Sequence, residues 1–278
     1  MSNGVDFPDP GQFVGTYVPN DSPAVNGGQS TYDGSIAVTL LDRSLVEAAI
    51  PVGFELAARR DGATTHPVIH LIGHQRNPML LLEGELFPAL DLGYVEMILL
   101  VPYVVLPQGA SAQNAKWHTF VVRMYLNDDA AIEIGNSVFA YRKKFAYLPE
   151  SDPLDVVSWE VFPLLEGDVF NSDVTQTGQW LSLCGDPAPL PVWPNIRKLF
   201  EMPLVGVDDA GKATRIVCSY WEWDYTNAEI SEGTCRHNFL HPFCPGMGGA
   251  WIGPKTGPSV LIRGLRWRLS QYPPECVF

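Results

Sequence analysis

Lys143 and Lys144 stand side by side in "AIEIGNSVFAYRKKFAYL" (Ala131 to Leu148), among neighbours that are mostly aromatic, small or apolar. A lysine amine attacks a carbonyl carbon only when unprotonated. In water, with a pKa of about 10.4, it is almost entirely ammonium at neutral pH. Desolvation, or a second positive charge nearby, disfavours the ammonium and frees the amine. The imine that follows, once protonated, is an electron sink for a carbanion on the adjacent carbon. Loss of carbon dioxide, aldol addition and dehydration all pass through that carbanion or its enamine. A lysine pair taken alone is ordinarily a solvated surface feature. The apolar surroundings are what make a desolvated nucleophile the competing reading.

Two further clusters have chemical content. "CRHNFLHPFC" brings Cys235, His237, His241 and Cys244 within ten residues, and thiolates and imidazoles at such spacings can hold zinc. The order Cys-x-His-x3-His-x2-Cys matches no standard finger, and the flanking "PFCPGMGGAW" reads as a turn-rich loop, so no metal is expected. A histidine from this loop, or His118 or His70, can serve as a proton shuttle. "SYWEWDY" (Ser219 to Tyr225) alternates as a strand, with Tyr220, Glu222 and Asp224 on one face and Trp221, Trp223 and Tyr225 on the other. Such aromatic stripes are more often core than platform, although a Trp-lined pocket suits a large apolar substrate. The sequence contains no phosphate loop, nucleophile elbow or dinucleotide fingerprint.

The elements that must position these residues are mostly strands. Residues 1 to about 33 are rich in Pro, Gly, Asn and Ser and read as an irregular arm; residues 34–278 read as a single domain. Runs such as "PVIHLIG", "GYVEMILLVPYVVL" and "SVLIRGLRWRL" are apolar or alternating and broken by Gly, Pro and Asp. In "KWHTFVVRMYL", strict alternation puts Trp117, Thr119, Val121, Arg123 and Tyr125 on one face. Helix signals are few. Ser44 and Glu47 suggest a capping box for "SLVEAAI", and Asp128 or Asp129 a cap for "AAIEIGNSVFA". The expected fold class is mainly β with a few helices, an antiparallel barrel or sandwich around a pocket.

The 278 residues suffice for a large core. Their formal charge of −13 makes nucleic acid and anionic membrane poor partners. No signal peptide is apparent, and the longest apolar run, Met97 to Leu106, is too short to span a bilayer. Five cysteines without a signal suggest reduced thiols and a cytoplasmic protein.

The block "MYLNDDAAIEIGNSVFAYRKKFAYL" (Met124 to Leu148) resembles the signature region of the acetoacetate decarboxylase superfamily, in which an acidic turn, a helix and a Tyr-x-Lys-Lys element deliver a Schiff-base lysine. "LDRSLVEAAIPVGFELA", "GYVE", "NIRKLFEMP" and "AWIGP" are weaker echoes. The resemblance implies an acetoacetate decarboxylase-like fold with Lys143 as imine-forming nucleophile and Lys144 as its cationic neighbour; this family is itself a standard example of such activation. It also implies that Glu96 of "GYVE" is a pocket carboxylate that orients substrate or moves protons; the ordinary reading is a solvent-facing strand glutamate. Tyr141 would lie beside the lysine. The sequence departs from the family pattern as well. Near Tyr32 there is no arginine where the decarboxylases carry one, and the strand expected to supply a second glutamate, "PVIHLIGH", offers only Ile69, His70 and His74. "GNS" replaces Gly-Arg-Glu, and Arg142 replaces a proline. Arg142 or Arg123 is a candidate for the missing cation, and Tyr32, Arg123, Tyr141, Arg142 and His70 are the candidate substrate contacts. The implied function is a lysine-dependent lyase on a keto acid or other carbonyl compound, by decarboxylation or aldol and dehydration chemistry, in secondary metabolism. No cofactor is expected, because the covalent imine takes its place, and a homo-oligomer is expected. The alternatives are a non-catalytic apolar-ligand module, or an imine-independent cyclase or isomerase.

Overall fold

The computed structural model describes residues 26–59, 62–83, 85–88, 93–107, 117–148, 150–151, 156–161, 163, 170–184, 190–208, 215–240 and 253–271. In chain order these form β1 (Asn26–Asp42), α1 (Arg43–Glu47), β2 (Glu55–Leu56), β3 (Thr65–Leu82), β4 (Glu85–Pro88), β5 (Tyr94–Val105), β6 (His118–Leu126) and α2 (Asp129–Phe139). There follow β7 (Lys143–Phe145), β8 (Glu150–Ser151), β9 (Val156–Val161), β10 (Phe170–Gln176), β11 (Leu181–Ser182), α3 (Trp193–Leu199), β12 (Leu204–Val207), β13 (Ile216–Asp224), β14 (Glu229–Phe239) and β15 (Gly253–Gln271).

The strands join one large mixed sheet in the order β1-β3-β5-β6-β12-β13-β15-β14-β10-β9-β8, and β15 also pairs with β1. The path from β1 to β15 therefore returns on itself, while β14, β10, β9 and β8 continue outward from β15; this is not a regular barrel. Most pairs are antiparallel, as the alternation in sequence implies, but β6 runs parallel to both β12 and β7. The unbroken apolar runs of β5 and β6 fit strands covered on both faces. One side packs residues such as Phe54, Met97, Phe120 and Tyr125, and the other Ile98, Met124, Phe139 and Leu269.

Several expectations are corrected. Asn26 to Asp33 are part of β1, so the irregular arm does not extend to residue 33; residues 1–25 lie outside the described residues. Ser44 lies within α1 and makes no capping box, because Asp42 holds the N-cap position and Glu47 pairs with Arg43. The even stripe from Trp117 to Tyr125 is broken. Arg123 pairs with Leu99 and Val121 with Leu100, so Val122 is an extra residue opposite them, a β-bulge that swaps the faces. Val121 and Met124 then share one core while Tyr125 joins the other. The thiols are not all reduced: Cys184 and Cys235 are free, but Cys218 is disulfide-bonded, which is at odds with a reducing compartment. Among the described residues no helix is long and apolar enough to cross a membrane.

Candidate active site

The β6-α2-β7 unit builds the site. Parallel strands cannot be joined by a hairpin, so a helix must cross between them, and α2 does so. Asp128 starts it, accepting the Ala131 amide N–H at 2.7 Å in an N-cap. Its last carbonyls, on Ser137 and Val138, accept hydrogen bonds from the Arg215 guanidinium. Ala140 then takes a left-handed conformation (φ 51°) and turns the chain into β7, where Lys143 pairs with Met124. Asn136 clamps this register: its Oδ1 accepts the Lys143 amide N–H at 2.8 Å, and its Nδ2 donates to the Lys143 carbonyl at 3.1 Å. The lysine stem passes under α2 at Gly135. A Cβ there would stand 2.3 Å from Cδ and Cε of Lys143 and 2.9 Å from Nζ, so only glycine leaves the lysine its path.

Lys143 opens on a cavity of ≈ 70 Å³ together with Glu96, Tyr94 and Tyr141. Ile98, Met124, Ile134, Phe139, Trp221 and Trp267 supply much of its apolar wall, and β1 contributes Gly27 to Ser30. By residue surface Lys143 is only half-buried, but its amine is enclosed, and desolvation pushes its pKa below the ordinary lysine value against the opposing pull of the Glu96 and Asp128 carboxylates. Glu96 is buried, and desolvation raises its pKa, opposed by the Lys143 charge and by a hydrogen bond from Gln75. Gln75 Nε2 donates to Glu96 Oε1 at 2.5 Å, and Trp267 Nε1 donates to Gln75 Oε1 at 2.7 Å. An indole nitrogen only donates, so Trp267 fixes which end of the Gln75 amide faces Glu96. Glu96 Oε2 is buried and has no hydrogen-bond partner among the described residues. The arrangement can offer a neutral amine to a carbonyl carbon and, a short way off, a carboxyl group that exchanges a proton.

The other candidates are distributed differently. Tyr141 lines the cavity, its hydroxyl 2.5 Å from Ser219 Oγ. Lys144 does not line it; alternation along β7 turns it to the other face, and burial rather than Lys144 frees the Lys143 amine. Tyr32 is structural: its hydroxyl lies 2.8 Å from the Ser35 carbonyl and 2.9 Å from the Ile72 carbonyl and shares its one proton between them, over the facing pair Gly34 and Gly73. Arg123 is buried away from the cavity, with a long 3.5 Å contact to the Arg142 carbonyl, and Arg142 lies 5.8 Å from the Phe120 ring. Neither supplies the missing cation. His70 points the opposite way, with Nε2 2.8 Å from Thr39 Oγ1 and its ring 4.5 Å from that of His237. Cys235 donates its thiol to the Gly257 carbonyl. His241 and Cys244 lie outside the described residues, among which no metal-binding cluster of His, Cys, Asp or Glu occurs. Sequence reasoning missed Gln75, Asn136 and Trp267. For Gln75 the signal was present: a period of two from Ile69 reaches Leu71, Gly73 and Gln75, while His70 belongs to the other face.

Neither a family model nor a curated protein matches the sequence. Solved structures do match. Acetoacetate decarboxylase from Legionella pneumophila aligns with a TM-score of 0.58 at 14% identity, covering 100% of this chain and 98% of that one. The enduracididine biosynthesis enzyme MppR, complexed with the condensation product of pyruvate and imidazole 4-carboxaldehyde, gives 0.56 at 12%, covering 95% and 97%. An acetoacetate decarboxylase-like enzyme from Sphingomonas wittichii gives 0.58 at 14%, covering 92% and 96%. The chain therefore carries the acetoacetate decarboxylase-like fold, with Lys143 and Glu96 facing one apolar cavity within it.

Proposed function

We propose that this protein is a lysine-dependent lyase that forms a Schiff base between Lys143 and a carbonyl substrate, and that aldol or dehydration chemistry rather than decarboxylation follows. The observation that carries the reading is the enclosed Lys143 amine, made less basic by burial, sharing a cavity with a carboxyl group whose pKa is raised. Lys143 Nζ adds to the carbonyl carbon, and the carbonyl oxygen leaves as water with a proton from Glu96. The iminium then makes the neighbouring C–H acidic, and the Glu96 carboxylate removes that proton to give the enamine. No resident cofactor is needed. Against decarboxylation stands the absence of arginine among the described residues that line the cavity. The condensation product bound to MppR supports the choice of aldol chemistry on this fold. A role in secondary metabolism and assembly as a homo-oligomer belong to the same proposal.

The apolar wall also favours a second reading, a non-catalytic module for a small apolar ligand. Borohydride trapping with a panel of ketones and keto acids separates the two. The lyase reading expects an adduct that maps to Lys143 and is lost in Lys143→Ala. Ligand binding without any adduct, and with a Lys143 amine that titrates like free lysine, supports the module instead.

A further inference from the structure

We propose that the substrate of this site is a neutral ketone or aldehyde, carrying an apolar substituent and no carboxylate separated from the carbonyl by two carbons or fewer. This rests on the imine reading and narrows it. Among the described residues that line the cavity, Lys143 and Glu96 are the only charged ones. Lys143 must be uncharged to react and Glu96 holds the proton it will give up, so at the moment of attack the described lining offers no cation. A carboxylate close to the carbonyl would enter an apolar chamber with no cation to receive it, and burying an unpaired carboxylate is strongly unfavourable. Forming the iminium does not rescue it, because Glu96 is already there as counter-ion.

The polar groups of the wall point the same way. Trp267 compels Gln75 to turn its amide N–H groups toward Glu96, which keeps Glu96 Oε1 an acceptor rather than a donor for a second anion. The indole N–H of Trp221, another lining residue, has no hydrogen-bond partner among the described residues. Neutral donors such as this indole and the hydroxyl of Tyr94, which also lines the cavity, suit a ketone or hydroxyl oxygen. Nor do the arginines of the adjoining recess offer an anchor. A wider recess of ≈ 470 Å³ shares Gln29, Ser30, Met79 and Trp267 with the inner cavity and contains Arg266 and Arg268. Arg266 pairs with Asp224 at 3.4 Å and Arg268 with Glu222 at 2.5 Å, so the recess is charge-balanced.

The consequence for the reaction follows from atom balance. Amine and carbonyl combine with one proton to give iminium and water, and loss of an α-proton gives the enamine. Without a carboxylate there is no carbon dioxide to lose. The enamine carbon must bond to a second carbonyl carbon, or a β-hydroxyl must leave as water; neither step needs an oxidant or reductant.

Chain-matched pairs test this on the full-length protein: 2-butanone against 2-oxobutanoate, and 2-pentanone against 4-oxopentanoate, each with cyanoborohydride. Adducts on Lys143 are measured by peptide mapping and normalised to the trapping of free Nα-acetyl-lysine. Ketone adducts at least ten-fold above those of the paired acids are expected. Equal or greater trapping of the acids overturns the inference and leaves the imine reading standing. Failure of every compound to mark Lys143 overturns both.

Discussion

Gly135 allows Lys143 to reach the cavity, and the two residues can be separated by experiment. In Gly135→Ala the new methyl meets only the far, flexible end of the lysine. The helix itself gains from the exchange, by about 0.5–1 kcal/mol. The melting temperature is therefore expected to hold or rise while imine trapping falls roughly tenfold or more, because the amine has been moved from its reacting position. Loss of fold in parallel with trapping would refute this division. Gln75 gives a second test at the same scale. Its hydrogen bond holds the Glu96 pKa down against desolvation, so Gln75→Leu should move the Glu96 limb of the pH–rate profile upward. The Lys143 limb requires the neutral amine and is expected to rise with pH and level off below the range of a free lysine. Of these residues, Lys143 and Glu96 were singled out in the sequence mainly through the resemblance of "AYRKKF" and "GYVE" to family elements, helped by the apolar neighbours of both. Trp267 and Asn136 were not. One acts by donating to an amide and the other by holding a backbone, and neither role leaves a mark in residue type.

Helix α2 carries the lysine only as well as its ends are fixed. Asp128 at the N-terminus could be read from "NDDAAIEI", since an acidic residue before an apolar run is a cap signal. Arg215 at the other end could not be read, because it comes from far along the chain to bond the Ser137 and Val138 carbonyls. Removing it in Arg215→Ala leaves those carbonyls without their cation and should cost about 1 kcal/mol. Trapping at Lys143 should fall as well, since the turn at Ala140 loses its support; a change in stability with full trapping would show that β7 is held by Asn136 alone. The misplacement of Arg123 also belongs to this scale. Alternation was sound on either side of Val122, and the bulge there reversed it. Pro102 and Tyr103 (φ 59°) mark the irregular stretch of β5 against which β6 slips register. A bulge is a relation between two strands, which one strand's pattern does not contain.

Across the whole molecule, buried histidines set the response to acid. Burial lowers His66 and His118 to about 4 and His237 to about 3, and His70 well below its ordinary value. These rings are neutral in the fold, whereas the unfolded chain takes up protons near pH 6.5. The stability these histidines contribute is thus fully present above pH 6.5 and is lost as the pH falls toward 4, with His66 alone accounting for about 3 kcal/mol. Urea midpoints should be level from pH 7 to 8 and decline steadily below 6.5; a midpoint unchanged down to pH 5 would contradict this. The mainly β class was legible from the short apolar runs and scarce caps. The way the sheet returns on itself was not, since it depends on Asn26 facing Gln271, 245 positions away. That pairing has a consequence for synthesis. While a nascent chain lacks residues 253–271, β1 and β13 each lack the neighbour that β15 will provide, and both present open edges to any other extended chain. Closure must therefore await the emergence of β15 from the ribosome, and until then the half-made sheet exposes the kind of unpaired edge on which chains aggregate.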